Sequence, residues 1–241
     1  MKVFAISDPH LALSAPFKPG EPPQTYKPMD VFGPYWQDYY STLYENWCKT
    51  VGPEDTVLLG GDISWAMTLP ETVHDFAYLA GLPGHIIIIK GNHDYWWQGI
   101  SQVRAALPPN CRALQHSSLS VGARAVCGSR GWLTPDQPDY CEADDAKIYA
   151  RELLRLRMAF EEGAQSGLPL VALVHYPPLS HNGAQNDMLA LFQEFSVRLC
   201  VYGHIHGPAA KNVVEGWHQG IEFLNVSCDR INFTPRLLWE E

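Results

Sequence analysis

Five short runs, at residues 3–6, 57–59, 86–89, 170–174 and 199–202, hold only Val, Ile, Leu, Ala, Phe, Cys and Tyr. Such runs without polar alternation are what strands covered by helices require. Between them the apolar residues recur at helical spacing: Trp36, Tyr39, Tyr40, Leu43 and Trp47 share one face, as do Val73, Phe76, Ala77 and Ala80, then Ile100, Val103 and Leu107. Residues 144–162, with Ile148, Leu153, Leu156 and Phe160 among charges, read as a longer helix ending near Gly163, and residues 187–195 as a shorter one. Alternation of the two patterns predicts an α/β fold, with further strands at 123–127, 213–214 and 221–226.

At 241 residues the chain is expected to form one domain, residues 1–241, with no internal repeat and no linker. Prolines at 16, 19, 22, 23, 28 and 34 exclude continuous helix or central strand over residues 14–34, which must be a long loop, either a lid or a structural wrap. A net charge of −9, with no Lys or Arg run, argues against bulk binding of nucleic acid or an anionic membrane. No segment has the length of a membrane span. The six cysteines form no C-x-x-C pair and read as reduced thiols of a cytoplasmic protein, and Asp8 and His10 cut the N-terminal apolar stretch too short for a signal peptide.

Each of the five runs is followed at once by metal-ligand residue types: "SDPH", "GGD", "KGNHD", "HYPP" and "GHIH". If the strands lie parallel as neighbours, their carboxyl ends line one crevice. The buried run at 86–89 then acts as a rigid mount that aims Asn92, His93 and Asp94 into it. Imidazole and carboxylate without thiolate suit Mn, Fe or Zn rather than Mg or Ca. Asp8, His10, Asp62, Asn92, His175, His204 and His206 exceed what one ion needs, and two ions sharing a carboxylate would use them all.

The ordered set Asp8-Pro9-His10, Gly61-Asp62, Gly91-Asn92-His93-Asp94, His175 and Gly203-His204-Ile205-His206 resembles the calcineurin-like metallophosphoesterases over residues 3–206. "GDISWAM" and "KGNHDYWW" are similar to a bacterial branch of predicted phosphohydrolases. The resemblance implies a four-layer αββα sandwich of two mixed β-sheets flanked by helices. It also implies one divalent ion on Asp8, His10, Asp62 and His206, and a second on Asp62, Asn92, His175 and His204, with Asp62 bridging. Pro9, and the absence of a further Asp or Asn after Asp62, depart from the family pattern without removing a ligand.

These residues imply a phosphoesterase in which hydroxide bridging the two ions attacks phosphorus in line, on a small-molecule or nucleotide-like phosphate ester. Diester and monoester substrates both remain open. A catalytically silent metal-binding scaffold on the same fold is the alternative. His93, left over once the ligands are assigned, is the candidate general acid. Asp94 either orients His93 or caps a helix before "YWWQGI". Trp65 and Trp96 either stack on substrate or pack in the core, and Arg130 either forks onto a phosphate or forms a surface salt bridge. His74, His85, His116, His181 and His218 match no motif.

Overall fold

The strands alternate their side chains between two apolar environments, and this period of two builds the layers. The computed structural model describes residues 1–180 and 182–241, so His181 lies outside the described residues. One sheet holds β1 (Lys2–Ile6), β2 (Thr56–Leu59), β3 (His85–Ile88), β4 (Cys111–Ala113) and β11 (Arg236–Glu240), in the order β11-β1-β2-β3-β4. The other holds β5 (Ser117–Val121), β6 (Arg124–Gly128), β7 (Leu170–Leu173), β8 (Leu199–Tyr202), β9 (Gly216–His218) and β10 (Ile221–Asn225), in the order β5-β6-β7-β8-β10-β9. Both sheets are mixed: β1 to β4 are parallel and β11 antiparallel, while β6, β7, β8 and β10 are parallel with antiparallel β5 and β9 at the edges.

Phe4, Ile6, Val57, Leu59, Ile86 and Ile88 face α1 (Tyr39–Thr50), α2 (Val73–Ala80) and α3 (Ile100–Ala106), packing on Leu43, Trp47, Phe76, Leu79 and Val103. Val3, Ala5, Leu58, Ile87 and Ile89 point the other way and meet Val126, Val171, Leu173, Val201 and Leu224 between the sheets. The outer face of the second sheet packs on α4 (Glu142–Ala164) and α5 (Asp187–Glu194) through Leu156, Phe160 and Phe192. The result is the expected αββα sandwich. Each fully buried large side chain contributes about 1.5–3 kcal/mol.

Several expectations need correction. The ligand-bearing strands are not one set of neighbours: β1, β2 and β3 adjoin in one sheet and β7 and β8 in the other. Residues 213–214 are not a strand, and the neighbouring strand is Gly216–His218. Short or polar β4, β5 and β11 gave no apolar run to find. The face of α2 was misjudged: Val73, Ala77 and Ala80 are exposed, and the buried positions include Asp75, Phe76, Tyr78 and Leu79. On α4 the buried stripe includes Asp145 and Glu152. Their carboxylates are satisfied, Asp145 by Trp132 Nε1 at 2.8 Å and Glu152 by the Ser129 hydroxyl at 2.7 Å. Of the cysteines, Cys111, Cys127, Cys200 and Cys228 are buried and Cys48 and Cys141 are exposed.

Residues 14–34 wrap the α1–α2 edge. Ser14 N–H donates to Gln24 at 2.9 Å, Phe17 packs on Tyr44 and Tyr78, and Lys27 is carried to Trp65. No helix among the described residues is long and apolar enough to cross a membrane.

α4 ends at Ala164, near Gly163 as expected, and a Cβ on Gly163 would sit 2.5 Å from Cys127 Sγ. Gly163→Ala should therefore destabilise the protein by about 1–2 kcal/mol, overpacking outweighing the helix-propensity gain of roughly 1 kcal/mol. Urea denaturation would measure this, and Cys127→Ala in the same chain should restore most of the loss.

Candidate metal centre

The strand-end loops from both sheets meet at one end of the sandwich. The chain leaves β1 through Ser7, whose N–H donates to Val226 O at 2.8 Å while Cys228 N–H donates back to Ser7 O at 2.9 Å. This bridge locks the β1 and β10 ends together across the sheets. Residues 8–11 then run beside residues 61–65: Asp8 N–H donates to Gly61 O, His10 N–H to Asp62 O and Leu11 N–H to Ile63 O, at 2.9–3.0 Å.

Asp8, His10, Asp62 and His204 all have left-handed backbone, with φ of 61°, 45°, 50° and 73°. Such positions cost on the order of 1–3 kcal/mol each and persist only where the surroundings fix them. Glycine is required at Gly91, where a Cβ would run into Asp62 Oδ1 and its backbone nitrogen. Two helices brace the first loop: the Tyr39 hydroxyl donates to His10 O at 2.7 Å, Ala12 N–H donates to the Tyr40 hydroxyl at 2.7 Å, and Leu13 N–H donates to Asp75 Oδ1 at 2.9 Å.

All seven expected ligands come together in two groups. Asp8, His10 and His206 offer ligand atoms within 4.8 Å of one another, and so do Asp62, His175 and His204. Asn92 joins the second group, its Oδ1 lying 2.6 Å from His175 Nε2 and 2.8 Å from His204 Nδ1. Asp62 Oδ2 links the groups, 3.8 Å from His10 Nε2 and 3.5 Å from His175 Nε2.

These donors fit cations rather than one another. His175 Nδ1 donates to Gly60 O at 2.9 Å, so on the neutral ring Nε2 presents its lone pair to the interior of the cluster, 2.6 Å from the Asn92 side-chain amide. The separations of His10 and His175 Nε2 from Asp62 Oδ2 and of His206 Nε2 from Asp8 Oδ1, 3.5–3.8 Å, are too long for hydrogen bonds. They match the roughly 3.4 Å expected between two atoms that each bind one tetrahedral ion at about 2.0–2.2 Å. His10 Nδ1 and His206 Nε2 are buried without a hydrogen-bond partner.

The electrostatics agree. Burial lowers His175 to about 4 and His204 to about 3, and holds His10 well below its usual value, so these imidazoles are neutral donors. Burial, then the charges of Asp8 and Asp94, push Asp62 well above the carboxylate range. Against the upward effect of burial, Asp8 is held low by His206, His175 and His10. Against the downward effect of burial, Asp8 and Asp229 lift His206 to about 10.

The sequence profile of the calcineurin-like phosphoesterases matches residues 1–208. The chain belongs to that family. A protein of unknown function from Aquifex aeolicus superposes with a TM-score of 0.52 at 16% identity, over 98% of this chain and 95% of the other. The phosphopantetheinyl hydrolase of Mycobacterium tuberculosis gives 0.53 at 15% identity, over 100% and 96%. At these identities the likeness concerns the fold. The search of curated proteins finds no match. Calcineurin-like phosphoesterases typically bind two metal ions, and the two donor groups here accord with that.

His93 projects over the centre, Nε2 4.0 Å from Asp62 Oδ2, and its side chain is 35% exposed against 4% for His10 and 0% for His175. Its backbone N–H donates to Asp62 Oδ1 at 2.7 Å. Asp94 neither orients the His93 ring nor caps a helix, since α3 begins only at Ile100. It is fully buried and accepts from Ile63 N–H at 2.8 Å, Ser64 N–H at 3.2 Å, Gly91 N–H at 2.7 Å and Trp96 Nε1 at 2.9 Å. That ties the Asp62 loop to the Asn92 loop. Trp96 is itself fully buried on Phe76 and Trp97, so it presents no face to a substrate. Trp65 stacks on His10 at 4.8 Å and carries the Lys27 ammonium 3.0 Å over its ring, which makes it a wall of the centre. Arg130 belongs to an adjoining cavity.

Asp229 was missed. Its carboxylate accepts from His206 Nδ1 at 2.8 Å and from Gly207 N–H at 2.7 Å, fixing the ring so that Nε2 faces Asp8. A signal was available, because Asp229 follows the strand expected at 221–226 as the ligand motifs follow theirs, although Glu222 and Asn225 interrupt its apolar character. Asp229→Ala should weaken the ion held by Asp8, His10 and His206 by roughly 10–100-fold, as losing a ligand's orienting partner does. Chelator competition would show one of two ions released earlier.

Asp75 gives a pH prediction outside the ligands. Burial raises its carboxyl to about 6 from 3.8, against hydrogen bonds from Ser64 and Leu13. The folded pKa exceeds the unfolded one, so ionised Asp75 costs stability: the cost is absent below about pH 4, grows as pH rises, and is complete above about pH 6. Its ceiling is roughly 3 kcal/mol. Asp75→Asn should therefore gain stability relative to wild type between pH 4.5 and pH 7.5, measured as the difference in denaturation midpoints. A constant difference would refute the assignment.

Proposed function

We propose that the chain is a dinuclear metal-dependent phosphoesterase that hydrolyses a phosphate ester by direct in-line attack, with His93 as general acid. The observation that carries the reading is the convergence of two donor groups, Asp8, His10 and His206 beside Asp62, His175 and His204, with the Asn92 amide against the second. When bound, two divalent ions of the Mn, Fe or Zn type would supply Lewis-acid stabilisation and an activated water. Asp8, His10, Asp62 and His206 would hold one, and Asp62, Asn92, His175 and His204 the other.

The chain's own residues do the remaining work. Asp62 is held in place by the His93 N–H, so the general acid and the bridging carboxylate are fixed to one another. His93 is more exposed than His10, His175 and His206, which suits a group that must reach a departing oxygen. The burial of Asp8, His10, Asp62 and His175 excludes water from the side of the centre opposite the substrate. A cleft of about 490 Å³, lined by Leu133, Pro177, Leu179, Ile205 and Val213, opens beside His204 and suits an organic leaving group with apolar surface. The fold-level likeness to a named phosphopantetheinyl hydrolase is in keeping with hydrolysis on this scaffold.

The test is manganese-dependent turnover of bis-p-nitrophenyl phosphate and p-nitrophenyl phosphate, run beside metal analysis. His93→Ala should lower kcat by about 10²–10⁴-fold and keep both ions. Asp62→Ala should lose metal along with activity. Near-full turnover by His93→Ala on a substrate with a poor leaving group would remove the general-acid role.

A further inference from the structure

The ends of β3, β4 and β6 also enclose a second cavity, of about 280 Å³, lined by Lys90, His116, Arg130, Arg151, Glu152 and Arg155 among others. Four permanent cations surround one carboxylate in a chain whose net charge is −9. Glu152 is fully buried and already engaged, by the Ser129 hydroxyl at 2.7 Å and Arg155 Nη1 at 2.5 Å. Arg130 stands off it at 4.0 Å and stacks on Trp132 at 4.4 Å. The Lys90 ammonium is half-buried and among the described residues donates only to the Trp97 carbonyl, at 3.5 Å. Arg151 is exposed and has no acidic partner among the described residues. Burial, with the charges of Arg155 and Arg151, also keeps His116 below its usual pKa. Such crowding opposes folding unless an anion is brought in, and fixed guanidinium forks suit phosphoryl oxygens.

We propose that this cavity is a phosphoryl-binding site separate from the metal centre, serving a second phosphate carried by the substrate or a free phosphate acting as effector. It adjoins the centre. Lys90 lies two residues before Asn92, and the Arg130 carbonyl accepts the His175 N–H at 2.9 Å. The Trp132 ring lies 4.9 Å from Tyr176, and the Tyr176 ring 4.2 Å from His204. The stacked Trp132 and Tyr176 rings thus run from Arg130 to His204. The substrate source rests on the phosphoesterase reading, whereas phosphoryl binding itself does not.

Two measurements on the metal-loaded chain test this. In calorimetry with methylenebisphosphonate, Arg151→Glu and Arg130→Gln should each weaken one binding event by at least tenfold; isotherms that superimpose on wild type would overturn the site. The Arg151 side chain makes no hydrogen bond or ion pair among the described residues, so Arg151→Glu should fold, which an unchanged denaturation midpoint verifies. The second measurement compares thymidine 5′-(p-nitrophenyl phosphate) with the same ester bearing a 3′-phosphate. A tenfold lower KM for the 3′-phosphorylated ester in wild type, lost in Arg151→Glu, assigns the cavity to substrate. Equal KM values with the calorimetric effect intact assign it to a free phosphate. No hydrolysis of either ester would count against the phosphoesterase reading while the calorimetric result still decides the site.

Discussion

Two carboxylates, Asp8 and Asp62, are buried in one cluster within reach of the same His175 ring. Like charges in a dry site cannot both ionise without a compensating cation. The surroundings relieve the conflict only in part, because His10, His175 and His204 are driven neutral while His206 is held protonated between Asp8 and Asp229. Much of the architecture can be understood as holding this unfavourable arrangement in place. The Ser7–Ser227 bridge closes the sheets behind it, Asp94 ties the loops beside it, and the tyrosines of α1 brace the loop above it.

The cost of that arrangement falls on the rest of the fold. Four ligands sit in left-handed backbone, and Asp94, Asp75 and Glu152 are acids with almost no exposure. Three apolar layers, each made of strands with alternating faces, supply the burial that offsets this. Proteins store strain at functional positions only where the surroundings over-determine them. The strain coincides here with the residue types that bind metals.

The candidate ligands' convergence was legible because each follows a strand whose apolar run is visible without any partner. Strand position and residue chemistry then carry the same message. The alternation that separates outward Phe4 and Ile6 from inward Val3 and Ala5 was present, but it could not show which runs share a sheet, so the two-sheet arrangement came only through the family resemblance. Nothing in the pattern marks Asp75, Asp145 and Glu152 as buried, because their burial depends on partners on other elements, Ser64, Trp132 and Ser129. Asp94 illustrates the same limit. Its motif is recognisable at once, yet its partners Ile63 and Ser64 lie 30 residues away.

The division of ligands between sheets has an energetic consequence. Asp8, His10, Asp62 and Asn92 follow strands of the first sheet, while His175, His204 and His206 follow strands of the second. Each proposed ion would therefore draw donors from both halves of the sandwich, and ion binding would be linked to the stability of the seam between them. A ligand that binds only the folded state adds RT ln(1 + [L]/Kd), about 2.7 kcal/mol at a hundredfold excess over Kd. The apolar seam of Ile87, Ile89, Leu173 and Val201 can hold the sheets together without metal, but at the strand ends that seam gives way to acids and imidazoles. Metal loading would thus matter most for the order of the same loops that position His93, which couples the state of the centre to its chemistry through the backbone as well as through the ions.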